Sequence, residues 1–172
     1  MPSAYVYRTG GGTGKTRLAA ELSAKLFDRY SDGVYFVSLA QLENPDLVAD
    51  TIANALSLPV APAANIVEEI SRAIGTKNLL LVLDNFEQVI SAATVVADIL
   101  ANTTTPKILI TSRECLSVSY ECEFPVSPLG LPKTDVSHAG SVIEESPAIE
   151  LFLQRARSVN GKFSITETNF PI

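Results

Sequence analysis

Short apolar runs alternate along the chain with stretches in which apolar residues recur every three or four positions. Residues 4–7 (AYVY) form a first run that predicts a short strand. From Gly14 to about Arg29, Leu18, Leu22 and Leu26 fall on one helical stripe with Ala19 beside it. Asp32-Gly33 turns the chain into an alternating, apolar segment over 34–39 that predicts a buried strand. Asn44-Pro45 joins a capping side chain to a proline suited to a first turn, and the helix it starts has Leu47, Ile52, Ala55 and Leu56 as its buried face. Pro59 and Pro62 break that pattern, and a further helix is predicted over about 64–74.

The run LLLVL at 79–83 is uninterrupted and ends in Asp84. Such runs mark strands covered on both faces, as in parallel sheets. A helix over about 86–100 follows, then a second buried strand over 107–111 ending in Ser112-Arg113, then a short strand over 123–126. Residues 127–145, rich in Pro, Gly and Ser, read as a loop or linker, and Ser146-Pro147 starts a last helix carrying Ile149, Leu151, Phe152 and Ala156. Strand and helix alternate through most of the chain, without internal repeat or low-complexity tract. The expected fold class is therefore α/β: three layers, α/β/α, around a mainly parallel sheet.

Composition narrows the partners more than the fold. The 172 residues suit a single domain with a substantial core, and 47% apolar with 19% charged residues is ordinary for a globular protein. A net charge of −6 with no basic cluster argues against direct nucleic-acid binding. Cys115 and Cys122 are expected as reduced thiols, and His138 stands alone in a polar stretch, which disfavours a His/Cys metal site. No segment has the apolar length of a membrane span, and the N-terminus lacks a signal-peptide pattern. A cytoplasmic protein without a membrane partner is the expectation.

The chemistry begins at residues 9–16, TGGGTGKT, between the first strand and the first helix. Residues without bulk let successive backbone N–H groups turn inward around a phosphate. Gly10, Gly11, Gly12, Thr13 and Gly14 would form that cradle, with Lys15 at the β/γ-phosphates and Thr16 on Mg²⁺. The helix that follows directs its positive end at the anion. Thr9 departs from the pattern GxxxxGK[ST], where the first glycine would be. A flexible glycine linker is an alternative, although a linker has no reason to end in Gly-Lys-Thr. A loop that folds but binds weakly is another.

Asp84, at the carboxyl end of an apolar strand, is suited to hold Mg²⁺ opposite Thr16. It equally suits a helix cap, with Glu87 at capping-box spacing. Asn85 stands where many ATPases carry a water-orienting acid, and an amide cannot take a proton, so slow turnover is expected; Glu87 is a substitute. Arg113 could pair with two oxygens of a γ-phosphate or be simply a solvated strand-end arginine. No Asn-Lys-x-Asp run is present for reading guanine, which favours adenine.

With TGGGTGKTRLA, DGVYFVSLA, LLLVLDNFEQV, ITSRECL and SPAIELFLQRA in that order, the chain resembles a STAND-class ATPase, a signal-transduction ATPase with numerous domains. It is most similar to the NB-ARC-like module of bacterial multidomain transcriptional regulators. The resemblance implies a P-loop NTPase fold of the ATPase branch, with five strands in the order 2-3-4-1-5 and the start of a C-terminal helical region. It implies a nucleotide-controlled switch using ATP/ADP and Mg²⁺, with Gly10 to Arg17 as the phosphate loop, Asp84 as the Mg²⁺ carboxylate, Arg113 as the phosphate sensor, and Lys15, Asp84 and Arg113 as the catalytic set. Its partners would be adenine nucleotide and other domains of a parent protein, with nucleotide-dependent self-association. The corresponding division is a nucleotide-binding domain at 1–128, a linker at 129–145 and a truncated helical subdomain at 146–172. The family's adenine-covering segment and GLPLA-like motif are not seen, so the chain is expected to be a fragment. Two other functions stay open: a self-contained P-loop ATPase or kinase, and a scaffold that binds no nucleotide.

Overall fold

The computed structural model describes residues 3–8, 13–59, 64–119, 121–130 and 146–164. They fall in two compact units, Met1–Val126 and Ser127–Ile172. In the first, β1 (Ser3–Arg8) leads to α1 (Lys15–Leu26), β2 (Val34–Ser38), α2 (Val48–Ala55) and α3 (Ile66–Ile74). β3 (Leu80–Asp84), α4 (Ala93–Ala101), β4 (Lys107–Ser112) and β5 (Glu121–Pro125) follow. The sheet has five strands in the order β2-β3-β4-β1-β5, every pairing parallel, as expected for the ATPase branch.

Strand periodicity sorts the apolar residues onto two faces. On one face Ala4, Val6, Leu81, Leu83, Ile108 and Ile110 meet Ile52, Ile70, Ile74, Val96, Ile99 and Phe86 from the helical side, all essentially without solvent contact. Each fully buried large side chain here stabilises the fold by about 1.5–3 kcal/mol relative to exposure. The opposite face is lighter: Leu80, Val82 and Leu109 pack on Ala19 of α1, with Tyr5, Tyr7, Leu22, Leu26 and Tyr30 half-covered around them. Burial pushes the Tyr7 and Tyr30 hydroxyls above the ordinary tyrosine range, so both stay neutral near pH 7.

Several elements differ from expectation for identifiable reasons. The buried line of α1 is Lys15, Ala19 and Ser23, and Leu18 is 41% exposed. Small residues bring the helix close to the sheet, and the Ser23 hydroxyl is satisfied by donating to the Ala19 carbonyl at 2.6 Å. Leu47 lies in a 3₁₀ turn, Pro45–Leu47, and is exposed; Val48, Ala49, Ile52 and Ala53 form the buried face of α2 instead. The helix expected over 86–100 is interrupted: a 3₁₀ segment Phe86–Ala92 is itself kinked at Val89 (φ −134°, ψ 38°), and α4 follows. Phe86, Val89 and Ala92 are all buried, so the kink falls within the buried side of the segment. The last strand starts earlier than expected, and its pairing with β1 continues to Val126, whose N–H donates to the Arg8 carbonyl at 3.1 Å.

The second unit carries α5 (Pro147–Val159). Its first-turn proline and Ser146 match the start signal, but the Ser146 hydroxyl donates to the Gly130 carbonyl at 2.8 Å rather than capping the helix. No α5 side chain is fully buried, and Phe152 meets Phe163 edge-on at 5.8 Å. No helix among the described residues is long and apolar enough to cross a membrane.

Candidate nucleotide-binding site

Three chain segments converge at the carboxyl edge of the sheet, where a parallel α/β fold gathers its ligand-binding groups. The β1–α1 loop supplies Thr13, Gly14, Lys15 and Thr16. The end of β3 and the segment after it supply Asp84, Asn85 and Glu87, and the end of β4 supplies Thr111 and Arg113. Thr13, Gly14, Lys15, Thr16, Asn85, Glu87 and Arg113 line one cavity of about 170 Å³. Thr9, Gly10, Gly11 and Gly12 lie outside the described residues. Arg17 is exposed on the first turn of α1 and does not line the cavity.

Gly14 is the hinge between loop and helix. It has φ 83° and ψ 20°, in the left-handed region, while its carbonyl already accepts from the Leu18 N–H at 2.9 Å. A methyl group added there would meet nothing within 4 Å, so the constraint is the backbone conformation itself. Gly14→Ala should lower unfolding stability by about 1–2 kcal/mol, measured as an earlier urea midpoint. Lys15 follows as the first residue of α1, is only 8% exposed and lines the cavity.

Asp84, at the end of β3, anchors Thr16. Its side chain is almost fully buried, and Oδ1 accepts from the Thr16 hydroxyl at 3.0 Å and from the Thr111 hydroxyl at 2.5 Å. Thr111 Oγ1 also accepts from the Asn85 N–H at 2.9 Å, holding Asn85 in a left-handed conformation (φ 61°, ψ 44°). The capping-box alternative is therefore not realised. Asn85 occupies the cap position without a side-chain cap bond, and Glu87 turns to Arg113.

That ion pair brings Glu87 Oε1 to 3.1 Å from Arg113 Nε. The Glu87 side chain is 7% exposed and that of Arg113 57%, so a buried anion holds a solvent-accessible cation at the rim of the cavity. The second oxygen of Glu87, Oε2, is buried without a hydrogen-bond partner.

Lys15, Thr16 and Arg113, singled out in the sequence, thus share one cavity, and Asp84 is bonded directly to Thr16. Thr111 escaped attention, although a hydroxyl ending an apolar strand was its available signal. The pairing of Glu87 with Arg113 had none, since no residue spacing links them. A larger cavity of about 300 Å³ lies on the α1 face between Tyr5, Tyr7, Leu22 and Phe124. Its lining is mostly apolar, with Arg29 and Lys107 its charged members, and includes no carboxylate and none of the phosphate-loop residues.

A parallel sheet in this order, with Gly-Lys-Thr heading α1 and a buried aspartate ending β3, defines a P-loop NTPase fold. Within that class the chain belongs to the NB-ARC domain family, which matches residues 7–128. It is 34% identical over 160 residues to a Mycobacterium tuberculosis protein provisionally named an HTH-type transcriptional regulator, covering 92% of this chain and 16% of that protein. An uncharacterized protein of the same species is 32% identical over 155 residues, covering 90% of this chain and 36% of its own length. The chain thus spans well under half of either curated relative.

Among solved structures, the fold is similar to Drosophila ORC bound to DNA, with a TM-score of 0.55 and 18% identity over 73% of this chain and 37% of that one. The Aeropyrum pernix ORC2 protein, solved as ADPNP–ADP complexes, gives a TM-score of 0.50 and 15% identity over 72% of this chain and 41% of that one. At these identities the likeness is one of fold.

Proposed function

We propose that this chain is an ATP/ADP-binding switch module with slow Mg²⁺-dependent hydrolysis, working within a larger signalling or transcription regulator. The observation that carries the reading is the cavity lined by Lys15, Thr16 and Arg113, with the Thr16 hydroxyl donating at 3.0 Å to the buried Asp84 carboxylate. Gly10 to Gly12, Thr13, Gly14 and Lys15 would cradle the phosphates, and Arg113 would meet a terminal phosphate. Thr16 and Asp84 fit Mg²⁺: both offer oxygen donors, one of them anionic and buried, the donor type that this hard cation takes. When bound, the ion neutralises charge on the phosphate oxygens.

Slow turnover rests on the acids at hand. Asn85 lines the cavity but cannot accept a proton from water, and Glu87, the carboxylate beside it, is engaged by Arg113. Residues 1–128 would be the nucleotide-binding domain, 129–145 a linker and 146–172 the start of a helical subdomain. Adenine nucleotide and neighbouring domains of the parent protein are the proposed partners. A related fold captured with both ADPNP and ADP supports a site that accepts either phosphate state. The name of the mycobacterial relative supports a regulatory parent protein, and self-association would follow nucleotide state.

Isothermal titration with ATP–Mg²⁺ and with ADP tests the reading, and heat of binding from neither would sink it. Arg113→Ala should weaken a non-hydrolysable ATP analogue by about five- to fiftyfold, the loss of a charge-assisted contact, with little change for ADP. Equal losses for both nucleotides would remove Arg113 from the terminal-phosphate role.

A further inference from the structure

Building on that reading, we infer that Glu87 is a specificity-determining latch: it holds Arg113 at the cavity and yields it to a terminal phosphate, thereby setting preference between triphosphate and diphosphate. Three observations carry this. Glu87 and Arg113 line the same cavity as Lys15 and Thr16, so the ion pair stands within the site. The pair is asymmetric: the carboxylate is buried and fixed, whereas the guanidinium is more than half exposed on a long side chain and is the member able to move. Only one oxygen of the carboxylate is used, and Oε2 is buried without a partner, so the arrangement leaves a polar group unsatisfied.

Glu87 holds the guanidinium through one contact, at Nε. A terminal phosphate offers two or three oxygens in the geometry a guanidinium grips, more than the single contact it would replace. A diphosphate lacks the group at that position and gives Arg113 no reason to leave Glu87. The cost of breaking the pair is therefore charged only to triphosphate binding, and Glu87 tempers the affinity that Arg113 provides. Once released, the carboxylate is a bare anion beside the cavity, able to accept a hydrogen bond from water.

The test compares the affinities of a non-hydrolysable ATP analogue and of ADP, both with Mg²⁺, across four forms of the chain: wild type, Glu87→Gln, Arg113→Ala and the double variant. Glu87→Gln keeps shape and removes charge, and should raise the triphosphate-to-diphosphate affinity ratio about two- to tenfold, the scale of a partly exposed ion pair. In the Arg113→Ala background the same substitution should leave the ratio unchanged. An equal rise in both backgrounds would mean that Glu87 simply repels phosphate, and no rise in either would mean that the pair is structural; each result overturns the latch.

The Arg113 Nε–H resonance, assigned with Arg113→Lys, gives a readout that needs no Glu87 variant. It should shift with the triphosphate analogue and hold its position with ADP, and movement with both overturns the proposal. Wild-type chain that binds neither nucleotide fails the functional reading itself, which is a different result from binding without a latch.

Discussion

Lys15→Ala should weaken binding of a non-hydrolysable ATP analogue by about ten- to a hundredfold, the range expected when charged hydrogen bonds of 1.5–3 kcal/mol are lost. Lys15 is the first residue of α1, and only 8% of it reaches solvent. An ammonium so enclosed meets phosphate with little intervening water, and its Coulomb attraction is screened less than at an open surface. The fold should survive, since alanine is the best helix former and the main core lies on the other face of the sheet. Titration calorimetry against the analogue and against ADP measures the effect, with a melting curve to confirm folding. ADP should lose less, because only one of the two phosphates bridged by the lysine is then present. Undiminished affinity in a folded variant would move the nucleotide site elsewhere.

The sequence made the frame of this site legible because its parts are tied to backbone position. A glycine loop between an apolar run and an amphipathic stretch has one place to go, and the strand ending in Asp84 is apolar at every position that must be buried on both faces. The strand order followed from family resemblance, and the parallel pairings observed agree with it. Finer features depended on packing that periodicity does not encode. Leu18 was assigned to the buried stripe by spacing alone, but Ala19 and Ser23 allow closer approach to the sheet and take that line. The segment after Asp84 has the pattern of one helix, yet it folds as a 3₁₀ stretch kinked at the buried Val89 before α4 begins, and Glu87 at its start pairs with Arg113. That pairing makes a residue resembling a cap into a member of the cavity, and it depends on β4 lying next to β3.

Asp84→Asn should separate metal binding from phosphate binding. The aspartate is 2% exposed and one oxygen accepts two hydroxyls, from Thr16 and Thr111. An asparagine carbonyl can accept both, so the local arrangement should persist while the anionic ligand for Mg²⁺ is lost. In the wild type, Mg²⁺ should strengthen binding of the ATP analogue at least roughly tenfold over EDTA, equivalent to ~1.4 kcal/mol. In the variant that advantage should shrink to near one. Affinity in EDTA should hold or improve, because a negative charge near the phosphates has been removed. This signature is the reverse of that expected for Lys15→Ala, which weakens binding with or without the metal. Paired titrations in Mg²⁺ and in EDTA read both variants on the same scale. An unchanged Mg²⁺ advantage in Asp84→Asn would reduce Asp84 to an anchor for two threonine hydroxyls, and the metal would need another carboxylate. Glu87, buried in the same cavity with one oxygen unpartnered, is the residue to which that result would point.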